Sequence, residues 1–187
     1  GALLIADEAQ TGMGRTGTWF GMDHDGVVPD ILVFSKGVGG GFPASGVIVT
    51  DEVAEGVLAE FSNFSSHQSD PVAAVAISCV IDIIREEGLL KRVVDAGARL
   101  HSGLEAQSAK HKVLGEIRSS GLMVAATAQE LPALGLSAED TGRAIEHLCR
   151  ESGVHLKGIL GGKVFRILPP LTISDQEIDK VLRVFEQ

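Results

Sequence analysis

The sequence predicts an α/β fold in two parts, a sheet-bearing segment over residues 1–88 and a small α+β domain over 89–187. Short apolar runs at 3–6, 30–35 and 47–50 end on polar or glycine-rich residues, as strands of an open α/β sheet do. Apolar residues from Val72 to Ile84 then recur at helical spacing. Beyond Gly88, amphipathic helices alternate with short strands.

Taken in order, Leu3 to Ala6 reads as a buried strand ending at Asp7. Residues 12–26 are glycine-rich and aperiodic, a loop with one helical turn. Asp30 to Ser35 forms a second strand between Pro29 and the glycines at 37 and 39–41. Val47 to Thr50 is a third, and Asp51 starts a helix towards Phe61. Val72, Val75, Ala76, Cys79, Val80, Ile83 and Ile84 mark a buried helix from Pro71 to about Glu86. A further helix runs to about Lys112, followed by strands at 113–118 and 122–128. Ser137 caps a helix to Ser152, with Glu139 and Asp140 in its first turn. Strands are expected at 154–156 and 164–168, and Ser174 to Glu177 is a capping box opening the last helix.

The chain has 187 residues, 44% hydrophobic and 22% charged, and a net charge of −9. That acidity argues against nucleic acid, whose phosphates need a basic face, but leaves small anions open. Cys79 and Cys149 lie inside apolar helical patterns and read as buried thiols of a reducing compartment. There is no run of transmembrane length and no signal peptide, so a cytoplasmic location without membrane contact is expected. Because a buried strand opens the chain directly, the sequence is expected to start inside a larger fold.

Two clusters carry chemistry. In Leu4-Ile-Ala-Asp-Glu-Ala-Gln10, Asp7 ends a strand where open α/β sheets place their ligands. An apolar run followed by Asp-Glu also fits the metal-holding strand of triphosphatases, yet G-x-x-x-x-G-K-[ST] is absent. A structural acid is the third reading. In Phe34-Ser-Lys-Gly-Val-Gly-Gly-Gly41, Lys36 directly follows a strand, where desolvation would make it a better nucleophile. Taken by itself that cluster equally fits a solvated loop lysine. Together the clusters say more. A carboxylate for a ring N–H and a lysine for an aldehyde carbon, ending successive strands, are what pyridoxal 5′-phosphate requires.

Residues 3–17 and 29–37, with Ser66-His-Gln-Ser-Asp-Pro71 and Phe165-Arg-Ile-Leu-Pro-Pro-Leu-Thr172, resemble the class III aminotransferases of fold type I. Within that family, 67–71 and the Arg166 segment look like the decarboxylating transaminases of the 2,2-dialkylglycine decarboxylase type. The resemblance implies that 1–88 is the C-terminal part of a mainly parallel cofactor-binding large domain. It implies that Lys36 is the catalytic lysine, Asp7 the partner of the pyridine nitrogen, Gln10 a donor to the phenolic oxygen, and Ala9 the residue against the ring. Ser66 stands where the family places a Thr that reaches the cofactor phosphate of a neighbouring subunit, with an N-cap role as the competitor. Arg166 would take a substrate α-carboxylate. Asp70, with Ser66 and Gln68, would hold K⁺ or Na⁺. Glu8 reads as a structural acid, His67 as a residue near the pocket, and the remaining histidines as surface or packing residues. Ser119-Ser120 departs from the glycine-bearing pair usual in this turn.

The implied activity moves an amino group between an amino acid and a 2-oxo acid, in a homodimer or dimer of dimers. The cofactor's phosphate cradle is expected in a preceding segment, so this chain by itself is expected to bind the cofactor weakly and to be inactive. A non-catalytic remnant acting through association is the alternative.

Overall fold

The computed structural model describes residues 1–60 and 66–186. They divide into two compact units, Gly1–Leu90 and Lys91–Gln187.

In the first unit, β1 (Ile5–Asp7), β2 (Ile31–Phe34) and β3 (Gly46–Val49) form a sheet in chain order. β1 and β2 are parallel, pairing Ile5 with Ile31 and Asp7 with Val33. The loop between them holds one 3₁₀ turn at Gly21–Asp25. β3 returns antiparallel to β2, pairing Phe34 with Gly46. The 35–45 connection is shorter than the dozen or so residues that a parallel crossover needs, so this strand departs from a mainly parallel sheet. Gly46 is required there, because a Cβ would run into the Phe34 ring.

α1 (Asp51–Glu60) follows β3, and the Phe61 at which it was expected to end lies outside the described residues. α2 (Pro71–Glu86) starts with proline where its missing N–H costs nothing, and Asp70 caps it by accepting from Val72 N at 2.8 Å. The helix packs on the turn that follows β2, bringing Val80 against Gly40. Its expected burial is not met within this chain. Ile84 is buried, but Val72, Val75 and Ile83 are exposed. Cys79 is likewise exposed, correcting its reading as a buried thiol. Leu3, Leu4 and Ile5 are also open, because β1 is an edge strand with one neighbour. Among the described residues, the buried apolar residues of this unit are few: Met13, Leu32, Val38, Ile84 and Leu89.

The second unit is better filled. β4 (Leu114–Ser120), β5 (Met123–Ala128), β6 (Gly158–Ile159) and β7 (Val164–Ile167) form an antiparallel sheet in the order β4-β5-β7-β6. α3 (Leu89–His111), α4 (Ala138–Glu151) and α5 (Asp175–Val184) supply the helical side of its core. Period-two alternation sends Val124, Ala126, Phe165 and Ile167 into that core, where they join Leu100, Leu104, Ile145, Cys149 and Ile178. Burial pushes the Cys149 thiol up to about 11, so it behaves as an inert packing group.

The strand expected at 154–156 forms instead at Gly158–Ile159. Leu156 is used to fill the core, and Val154 N donates to Cys149 O at the end of α4, so this segment enters no ladder. Both predicted caps are present. Ser137 accepts from Asp140 N at 3.2 Å, and Ser174 and Glu177 form the reciprocal box. Arg99 on α3 pairs with Asp175 at 3.4 Å and Asp179 at 2.6 Å, tying α3 to α5. No helix of the described residues is long and apolar enough to cross a membrane.

Candidate active site

Parallel pairing places the C-terminal ends of β1 and β2 side by side. Asp7 is the last residue of β1, opposite Val33, and Lys36 follows three residues after Val33, just past the end of β2. The backbone ladder continues one step further, with Glu8 N donating to Val33 O at 2.8 Å. The two residues singled out from the sequence therefore leave the sheet at the same edge. Asp7 Oδ1 accepts from Ala9 N at 3.1 Å, and its other oxygen has no partner among the described residues. Lys36 Nζ also has none.

Lys36 adopts φ 53°, left-handed backbone that residues with a Cβ avoid. Ser35 before it is extended, at φ −164°, and its hydroxyl donates to Ala44 O at 3.3 Å. Strand geometry thus ends one residue before the lysine, which the turn throws outward. The side chain is exposed, so the desolvation expected of it is not supplied by residues of this chain.

Lys36 lines an open cleft of about 1150 Å³, with Ser35, Phe42, His67, Gln68 and Asp70 among its walls. The structure therefore brings Lys36 together with the 67–70 turn. Asp7, Ala9 and Gln10 sit beside the cleft, in β1 and the turn after it, rather than in its lining. Ser66 is exposed and does not line it either. The N-cap role that competed for Ser66 is filled by Asp70.

Glu8 is the acid that holds the loop. It is 5% exposed and accepts from the Thr11 hydroxyl, from Gly21 N at 2.9 Å and from Met22 N at 2.9 Å. Burial alone would raise its pKa. The three donors outweigh that and hold it below the ordinary 4.5. By spanning from 11 to 22, Glu8 closes the loop that carries Ala9 and Gln10, and its neighbour Asp7 is left free to point elsewhere. Glu8→Gln loses one acceptor and leaves a backbone N–H facing an amide, at a cost of about 1–3 kcal/mol. Because the folded pKa is depressed, this contribution is complete above pH 4.5 and is lost as pH falls through the folded value. Denaturant melts of both proteins from pH 7 to pH 3 should show a gap that closes only below about 4.5; a gap independent of pH would contradict the role.

In the second unit, Arg166 is the exposed residue between buried Phe165 and Ile167 on β7, directly opposite Ala125. It has no ion-pair partner among the described residues. An arginine with an unused fork on an ordered strand is suited to a carboxylate.

These donors fit pyridoxal 5′-phosphate. A free carboxylate oxygen and a free amine stand at one sheet edge, beside a cleft large enough for a substituted ring, while a buried second acid holds the intervening loop. For an alkali ion the fit is narrower. Asp70 spends one carboxylate oxygen on Val72 N, leaving the other and nearby backbone carbonyls. No group of three or more His, Cys, Asp or Glu gathers to hold a metal ion among the described residues.

A carboxylate and a lysine thus stand on adjacent strand ends of this α/β sheet. The chain belongs to the class-III aminotransferase family, whose model matches residues 1–187. It is 40% identical over 192 residues to the 5-aminovalerate aminotransferase DavT of Pseudomonas aeruginosa, covering 100% of this chain and 44% of that protein. It is 39% identical to the 4-aminobutyrate aminotransferase GabT of Escherichia coli, covering 100% and 44%. A transaminase structure from the marine bacterium Virgibacillus superposes with a TM-score of 0.87 at 29% identity, over 98% of this chain and 44% of that one. The chain thus spans less than half the length of these relatives. They are aminotransferases, and the closer likeness to the dialkylglycine decarboxylase type drawn from 67–71 and Arg166 is not shown by them.

Proposed function

We propose that this chain serves the pyridoxal-phosphate-dependent transfer of an amino group between an amino acid and a 2-oxo acid. The observation that carries this is the exit of Asp7 and Lys36 from one sheet edge with a free carboxylate oxygen and a free amine. The bound cofactor supplies an electron sink for bond breaking at the substrate Cα. Asp7 keeps the ring nitrogen protonated by placing negative charge beside it. Lys36 Nζ would hold the cofactor through its aldehyde carbon and would serve as the base for the proton at the substrate Cα. Gln10 would donate to the phenolic oxygen, Ala9 would lie against the ring, and Arg166 would take the substrate α-carboxylate.

The test is a panel of amino donors and 2-oxo acids offered to the holoenzyme, with both amino-acid product and carbon dioxide followed. Amino-acid formation without gas supports transamination. Stoichiometric carbon dioxide supports the decarboxylating type instead, and neither product sinks the reading. An alkali ion at Asp70, Ser66 and Gln68 would show as different rates in K⁺ and Na⁺; equal rates would remove it. Open Ile48, Val72 and Val75 support an assembled state. We place Ser66 against a neighbouring subunit's cofactor phosphate in a homodimer or dimer of dimers. An active monomer in sedimentation would refute that.

A further inference from the structure

We infer that Ser119, His101 and Glu105 form a second reactive site in the second unit, in which Ser119 is a nucleophile towards small activated acyl esters. The inference goes beyond amino transfer and uses no residue assigned to it. Ser119 belongs to the Ser119-Ser120 pair in which this chain departs from the family's usual turn.

Packing between α3 and the β4-β5 hairpin brings the three together. Ser119 lies on β4 opposite Val124, whose side chain enters the core, so Ser119 is on the side of the sheet that α3 covers. α3 meets the hairpin turn at Gly97, where a Cβ would fall 2.2 Å from Gly121 O. His101 and Glu105 follow one and two helical turns further on, along the same face of α3. Close approach at a glycine therefore delivers the imidazole to the strand. His101 Nδ1 and Ser119 Oγ stand 2.9 Å apart, and His101 Nε2 lies 3.3 Å from Glu105 Oε1.

The order of protons follows from these partners. A carboxylate only accepts, so Nε2 carries the hydrogen that faces Glu105, and Nδ1 presents its lone pair. The Ser119 hydroxyl then donates to Nδ1. Acid, imidazole and hydroxyl in this order activate serine in hydrolytic triads on unrelated folds, where roles and geometry rather than chain order define the site. Here Nδ1 rather than Nε2 faces the hydroxyl, which leaves the direction of proton transfer unchanged. The imidazole is 28% exposed, held between helix and strand, while Ser119 is open to reagents. An open nucleophile suits small acyl groups on good leaving groups.

In the reaction, Ser119 Oγ bonds to the acyl carbon as its proton passes to His101 Nδ1. The imidazolium gives that proton to the departing alkoxide or phenolate as the ester C–O bond breaks. Water then repeats the exchange in reverse, releasing a carboxylic acid and restoring Ser119. Glu105 is a positioning residue that fixes the tautomer and orientation of the ring.

The test treats the intact holoenzyme with p-nitrophenyl acetate, follows p-nitrophenol release and locates acetylated peptides by mass. Acetyl should appear on Ser119, with release continuing beyond one equivalent. Ser119→Ala should remove that adduct. His101→Gln should slow its formation by about 10²-fold or more, the contribution of a positioned general base. Glu105→Gln should lower the acetylation rate at unchanged KM and Tm, and Glu105→Asp should recover part of it. Should Ser119→Ala fail to fold, a fluorophosphonate probe on the wild-type protein decides instead: a label on Ser119 supports the site, and its absence there sinks it. Acetyl on Lys36 or Cys79 alone, or undiminished Ser119 acetylation in His101→Gln, overturns the proposal. A holoenzyme that fails to transfer amino groups leaves this outcome untouched, because the adduct is read directly.

Discussion

Replacing Lys36 with Ala in the intact holoenzyme is expected to abolish the visible absorption band that pyridoxal phosphate gives it. Amino transfer should fall by at least about 10²–10⁴-fold, the contribution of a positioned general base. Among the described residues no other amine lines this cleft, so none of them stands ready to replace it. A second substitution separates chemistry from backbone strain. Lys36 adopts φ 53°, which costs a residue with a Cβ about 1–2 kcal/mol. Lys36→Gly escapes that cost but gives back about 0.4–1 kcal/mol through the greater freedom of the unfolded chain. It should therefore be more stable than Lys36→Ala by about 0.5–1 kcal/mol, and equally inactive. Spectra and melts of the three proteins check both parts. A retained band in either variant would dismiss Lys36 as the cofactor lysine. Equal stability of the two would dismiss the strain.

Phe165→Ala should cost about 3–5 kcal/mol, the usual penalty for removing a fully buried aromatic. Phe165 is 0% exposed and sits on β7 opposite Ala126, with Gly158 on its other side. Those small neighbours are what admit the ring. They cannot expand into the space it would leave, so collapse is limited and the cavity term is large. One residue along the strand, Arg166→Lys should leave stability within about 0.5 kcal/mol, because its side chain lies on the open face. Its effect should appear as a raised KM for carboxylate substrates, since Lys offers a point charge in place of a bidentate fork. Chemical denaturation and steady-state kinetics on both variants test the contrast. A stable Phe165→Ala, or an Arg166→Lys with unchanged KM, would break it. On that outcome, adjacent residues on one strand would carry stability and recognition separately.

The local elements were legible because their signals are local. Pro71 with Asp70 before it, the Ser174 to Glu177 box and the Ser137 cap are decided by side chains reaching their own backbone. The exit of Asp7 and Lys36 at the ends of neighbouring strands was also legible, because two short strands ending in reactive side chains leave few arrangements. Burial was less so. Apolar periodicity in α2 and β1 tells which residues can be covered, but Val75, Cys79 and Ile5 are exposed because none of the described residues covers them. β6 was misplaced for a related reason: Leu156 fits a strand by propensity, yet the core between α4 and β7 claims it.

What the sequence determined by itself was the family, with Lys36 and Asp7 as the lysine and acid proposed to carry its chemistry. Those depend on residue type and spacing along one strand-loop-strand segment. The tertiary structure decided which groups stand beside one another across elements: the loop clamp of Glu8, the left-handed backbone of Lys36 and the contact of His101 with Ser119. Register and backbone dihedrals arise from pairing and packing between segments far apart in the chain. A spacing along the sequence cannot express them, because the distances that matter run perpendicular to it.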